Sequence, residues 1–125
     1  MRFMKPLVVL IRILAPVLVT LGIGFWTGHW ASLVPLHRIL GMMFVLTLWA
    51  IAGLALDHPQ TRGRALFTIA WGAFVAVLGF TQQRLLVGDL HWIVRVLHLG
   101  IAMVAMHLAG TLTAARALVG ARSEG

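Results

Sequence analysis

Three of the chain's six histidines and one arginine lie inside a single apolar stretch, residues 91–110, HWIVRVLHLGIAMVAMHLAG. Imidazole is the commonest side-chain ligand for transition metals, and it exchanges protons near neutral pH. Within hydrocarbon such side chains are expensive and are kept for a purpose. The same order of features stands upstream, in HWASLVPLHRILGM. His29-Trp30 matches His91-Trp92, Leu36-His37 matches Leu97-His98, and Met42 matches Met103. Leu-Gly precedes each block, at Leu21-Gly22 and Leu78-Gly79. The chain therefore holds an internal repeat of about sixty residues, in which His37 and His98 are equivalent positions.

Apolar elements must carry these histidines. The sequence is 61% hydrophobic and only 10% charged, too little polar surface for a soluble domain of 125 residues. Four apolar runs stand near residues 7–26, 36–56, 65–82 and 90–112, each close to the roughly 20 residues that a bilayer-crossing helix needs. The expectation is one domain, residues 1–125, an all-α integral membrane four-helix bundle of two pseudo-symmetric helical hairpins. No soluble catalytic domain accompanies it.

The net charge of +7 does not point to nucleic acid, because the basic residues flank the apolar runs. Arg2, Lys5, Arg12, Arg62, Arg64, Arg116 and Arg122 fall on one side, against Arg38, Arg84 and Arg95 on the other. The positive-inside rule then puts both termini in the cytoplasm and the His-Trp pairs outside. The expected location is a bacterial-type inner (plasma) membrane, crossed several times. The absence of cysteine excludes disulfides, thiolate ligands and a CxxCH tether. Asp57, Asp89 and Glu124 lie at run ends or in the tail. With no carboxylate at mid-depth, a proton-coupled transporter is disfavoured. The first run lacks an A-x-A-like cleavage site and reads as a retained helix.

Along the chain, the first helix is expected after Pro6, with Pro16 positioned to kink it. The second opens at Pro35, and DHPQTRGR forms a polar cytoplasmic turn. The third, from Ala65, has no ionisable residue and reads as a supporting wall. Its Gly72 and Gly79 share a face that suits close helix packing. Trp26, Trp30 and Trp92 suit an interfacial aromatic belt.

Depth decides whether the equivalent histidines meet. From His37 to Asp57 is 20 residues, about 30 Å of helix. From His98 to Arg116 is 18 residues, about 27 Å. Asp57 and Arg116 both mark inner helix ends, so His37 and His98 stand at similar heights in the outer half. A pseudo-two-fold axis between the hairpins would bring them face to face. Two facing imidazoles suit the two axial positions of a porphyrin iron, and bundle cores house such sites. Gly41 and Ala102 each lie four residues on from their histidine, on nearly the same face, and leave room for a macrocycle. Arg38 and Arg95 lie close by on the outer side, where propionates need cations.

With these residues the chain resembles the small four-helix membrane b-type cytochromes, in which histidines on separate helices hold haem non-covalently. The resemblance spans the whole chain in architecture, and in motif it rests on His37 with Gly41 and Arg95 with His98. It implies one non-covalent haem b and single-electron exchange with a quinone, a small oxidant or a periplasmic redox protein. The chain departs from many such proteins in offering one matched pair of ligands rather than two.

His107, nine residues past His98, points about 180° away and reads as a packing or partner-contact residue. His91 lies on the face of His98, about 10 Å nearer the surface, and with His29 is placed to touch propionates, bind a surface metal or be wetted. Met42 and Met103 sit about 140° from their histidines and read as packing. His58 reads as solvated. Two alternatives to the cytochrome stand beside it. One is a haem or transition-metal carrier, a bare metal needing several of His29, His37, His91 and His98 together. The other is a structural subunit of a larger membrane complex.

Overall fold

The computed structural model describes residues 3–123, with side chains through residue 121. Of the charges used for orientation, Arg2 and Glu124 lie outside the described residues, as does the Arg122 side chain. Four α-helices make up the fold: α1 (Met4–Trp26), α2 (Val34–Ala55), α3 (Pro59–Thr81) and α4 (His91–Ser123). Single 3-10 turns at Ala31–Leu33 and Gln82–Arg84 complete the connections at one end of the bundle, called the histidine end below. All four helices are long and apolar enough to cross a membrane.

The helices overrun the apolar runs, for a physical reason. Hydropathy marks where a chain prefers hydrocarbon, whereas helicity needs only satisfied backbone and tolerable propensity. α1 starts at Met4 rather than after Pro6, because a proline in the first turn gives up an N–H that has no helical partner there. It also runs on through Pro16 without a break. α3 starts at Pro59, so Arg62 and Arg64 stand on its first turns and the polar turn shrinks to residues 56–58. The buried Thr61 hydroxyl closes that turn by donating to the Ala55 carbonyl at 2.7 Å. α4 continues past residue 112 to Ser123; its alanines, leucine and arginines there are good helix formers.

Each helix buries one stripe. In α1 it is Met4, Ile11, Leu14, Leu18 and Leu21, and in α3 it is Thr61, Ala65, Thr68, Gly72 and Val75. These spacings of three, four and seven put the residues on one side of a helix. Sequential helices pack side by side, α4 returns against α1, and α2 meets α4 across the diagonal. Two indole N–H groups clamp neighbours: Trp49 donates to the Ile69 carbonyl at 3.0 Å and Trp71 to the Ile101 carbonyl at 2.9 Å. Gly72 admits the first clamp, since a Cβ there would stand 2.6 Å from Trp49 Nε1.

Packing is uneven along the axis. The buried residues of α2 all fall between Phe44 and Ala55, where they meet Ala105, Ala109 and Leu112 of α4. Below that core, Arg116 donates both to Asp57 Oδ1 at 3.1 Å and to Oδ2 at 3.0 Å. The two positions that mark equal depth on the sequence thus touch. Toward the histidine end the first ten residues of α2 bury nothing completely, and the bundle opens.

Candidate functional site

The opening is a cavity of about 380 Å³, lined by residues of all four helices, a size typical of small-molecule sites. His37, Arg38 and Gly41 enter it from α2, and His91, Arg95, His98 and Ala102 from α4. His29 lines it from the α1–α2 connection. Every candidate residue named from the sequence is therefore on this one cavity wall.

The two equivalent histidines form its centre. The His37 and His98 ring centres are 6.4 Å apart with planes at 61°. Neither imidazole makes a hydrogen bond, and both Nδ1 atoms are buried without a partner. Each such group costs about 1–3 kcal/mol unless something else satisfies it, and His58 Nδ1 away from the cavity is unpartnered in the same way. Metal–imidazole bonds of about 2.0–2.1 Å place two imidazoles on opposite sides of one metal with ring centres roughly 6 Å apart. The observed 6.4 Å between ring centres is of that size. Phe25 holds the His37 ring edge-on, with centroids 5.3 Å apart.

Around the pair, each helix contributes a small residue to the wall: Gly22, Gly41, Gly79 and Ala102. A Cβ added at Gly22 would meet nothing within 4 Å, and at Gly41 only Leu18 Cδ2 at 4.0 Å. At Gly79 it would meet His98 Cε1 at 3.5 Å. Gly22 and Gly41 therefore face open volume, and Gly79 faces the His98 ring. The close-packing face read from Gly72 and Gly79 serves two neighbours, Trp49 at the first glycine and His98 at the second.

The rim is polar. The Arg38 guanidinium donates to Gln83 Oε1 at 2.7 Å, whereas the Arg95 side chain has no hydrogen-bond or ion-pair partner among the described residues. His91 Nδ1 lies 3.1 Å from the Leu85 carbonyl. A carbonyl only accepts, so Nδ1 carries the proton and neutral His91 offers its Nε2 lone pair; only the imidazolium would donate to a carboxylate. His29 is held by the Gly24 carbonyl through its backbone N–H at 2.8 Å and by Thr27 Oγ1 at 3.1 Å from Nδ1. Next to it Trp30 takes a left-handed backbone (φ 58°) and lays its ring on Gly24, where a side chain has no room.

Other sequence expectations need correction. His107 does lie off the cavity, but it is exposed and makes no hydrogen bond, so it is not a packing residue. His58 is half-buried with an unpartnered, buried Nδ1 rather than solvated, because the tight turn into α3 folds over it. Met42 lines the cavity while Met103 is 56% exposed, so the repeat does not give them a common packing role. Among the described residues no three His, Asp or Glu side chains converge, so the four-histidine metal site is not formed. Sequence reasoning missed Gly22, Phe25 and Gln83; the Leu-Gly repeat was the available signal for the first.

No known family, curated protein or solved structure matches this chain.

Proposed function

We propose that the protein is a membrane-embedded b-type cytochrome with one haem b held non-covalently between His37 and His98. One observation carries this reading: two unpartnered imidazoles stand 6.4 Å apart in a cavity to whose wall every helix contributes a glycine or alanine. A porphyrin needs just two axial ligands and a flat, unobstructed slot, and the failure of a larger ligand cluster to form does not weaken it. When bound, the haem supplies a single-electron carrier.

The chain's own residues orient and shield that group. His37 and His98 hold it from α2 and α4, Phe25 steadies the His37 ring, and the small residues leave its edges room. Arg95, free of protein partners, and Arg38 place cations at the rim for the propionates. His29 and His91 stand at the same rim, fixed by their local bonds, where an electron partner arrives.

The bundle spans the membrane as two related hairpins, α1–α2 and α3–α4. No more than 39% of any span's apolar window is buried within the protein, and the rest suits lipid. The excess of basic residues at the Asp57 end supports a reading with both termini in the cytoplasm of a bacterial-type inner (plasma) membrane. The haem then lies near the outer leaflet and exchanges electrons with a quinone, a small oxidant or a periplasmic redox protein. The test is an absorption spectrum of the purified protein, oxidised and dithionite-reduced, with a pyridine haemochrome assay. One low-spin haem per chain is expected; a colourless protein or two haems per chain would overturn the single-site reading.

A second reading, a haem carrier, draws on the same unpartnered Nδ1 atoms. Haem ligands are usually anchored by a bond from the second ring nitrogen, and neither histidine has one. Rapid transfer of haem to apomyoglobin would favour the carrier over the electron-transfer protein.

A further inference from the structure

The ligand pair and the ion pair join the same two helices at opposite ends. His37 and His98 stand 6.4 Å apart between ring centres at one end of α2 and α4. At the other, Arg116 grips both Asp57 oxygens, at 3.1 and 3.0 Å, and reaches the Leu54 carbonyl with Nε at 3.4 Å. Among the described residues these are the only side-chain hydrogen bonds joining the α2 end to α4. The intervals along the two helices are 20 residues (37 to 57) and 18 (98 to 116), a mismatch of about 3 Å, well under one 5.4 Å turn. The other long-range side-chain links are the Trp49 and Trp71 indole bonds through α3 and the Arg38–Gln83 bond from α2 to the α3–α4 connection.

We propose that Asp57 and Arg116 are positioning residues for the imidazole pair, fixing how far α2 stands along its axis relative to α4. The inference rests on the haem reading for its consequence but not for its geometry. The core shared by α2 and α4 mixes small residues, Ala52, Ala55, Ala105 and Ala109, with the larger Leu48, Ile51 and Leu112, and its small members interlock little against sliding. A slip of one turn would move one imidazole by about 5.4 Å and end opposed ligation. A forked guanidinium on a short carboxylate permits much less travel than that. The Arg116 side chain is only 20% exposed, so the grip is partly withdrawn from water although Asp57 is 68% exposed.

Because the chain has no cysteine, spin labels go only where cysteines are introduced. Ile39→Cys and Leu97→Cys place labels on exposed positions beside the two histidines. The experiment measures the label–label distance distribution in haem-free protein in nanodiscs, and the rate of haem loss to apomyoglobin in haem-loaded protein. Asp57→Asn is expected to shift or broaden the distances and to speed haem loss about fivefold. Arg116→Lys, which keeps the charge and loses the fork, gives a smaller change of the same kind. The exchanged pair Asp57→Arg with Arg116→Asp restores both readouts. Distances in Asp57→Asn that superimpose on the parent's overturn the proposal, as does an exchanged pair that behaves like Asp57→Asn. Failure of the parent to bind haem would sink the proposed function instead, and the label distances would still decide the register.

Discussion

At the scale of single residues, the two central imidazoles are distinguished by what they lack. Other histidines of the cavity spend Nδ1 on the protein, His91 on Leu85 and His29 on Thr27, whereas His37 and His98 spend nothing. Replacing either by Ala is expected to lower haem retention at least about tenfold, with loss of the low-spin spectrum. His107→Ala, on the exposed face of α4, should leave the spectrum intact. A spectrum that survives His98→Ala but not His107→Ala would refute the ligand assignment. Gly41→Leu tests the slot without touching a ligand. Its added side chain points into open volume beside Leu18, so folding should persist while haem uptake fails. Retained uptake would show that the macrocycle lies elsewhere. The histidine pair was legible in the sequence because the cost of imidazole in hydrocarbon makes each one conspicuous. Gly22 and Phe25 were not, since neither glycine nor phenylalanine stands out in an apolar run, and nothing local says which face opens.

At the scale of elements, the sequence located four helices and misplaced their ends. Arg62 and Arg64 read as loop because they are charged, yet a helix that starts at Pro59 puts them in the first two turns of α3. The clamps between helices were equally hidden. Trp49 and Trp71 look like any apolar bulk until a carbonyl is found beside each indole N–H. Trp71→Phe should keep most of the ring's packing and lose one hydrogen bond, costing about 1 kcal/mol in reversible unfolding from micelles. Gly72→Ala is a sharper probe. The new methyl would stand 2.6 Å from Trp49 Nε1, and such overpacking costs about 1–3 kcal/mol. Combined with Trp49→Phe the loss should be less than the sum of the two, because they strain one contact. Additive losses would mean that the clamp and the glycine act separately.

For the whole molecule, the repeat supplies matched depth but not identity. His37 and His98 meet, and Gly41 and Ala102 both line the cavity. Phe25 packs on one ring only, and Met103 has left the interior that Met42 faces. The depth argument on the sequence brought the two histidines together because two helices of nearly constant rise carried them from the Asp57–Arg116 contact, although α4 runs on past Arg116 to Ser123. What remains is which end of this axis faces the cytoplasm, and the charges make a definite forecast. A single cysteine at Ser32, exposed beside the histidine-end rim, should react with a membrane-impermeant maleimide in intact cells. One at Gln60, exposed at the Asp57 end, should react only after permeabilisation. The basic residues around α3's first turns resist translocation, whereas the Trp30 and Trp92 loops carry little charge that would hold them back. Reversed labelling would turn the cavity toward the cytoplasm, leaving the histidine pair unchanged but replacing the proposed periplasmic electron partners with cytoplasmic ones.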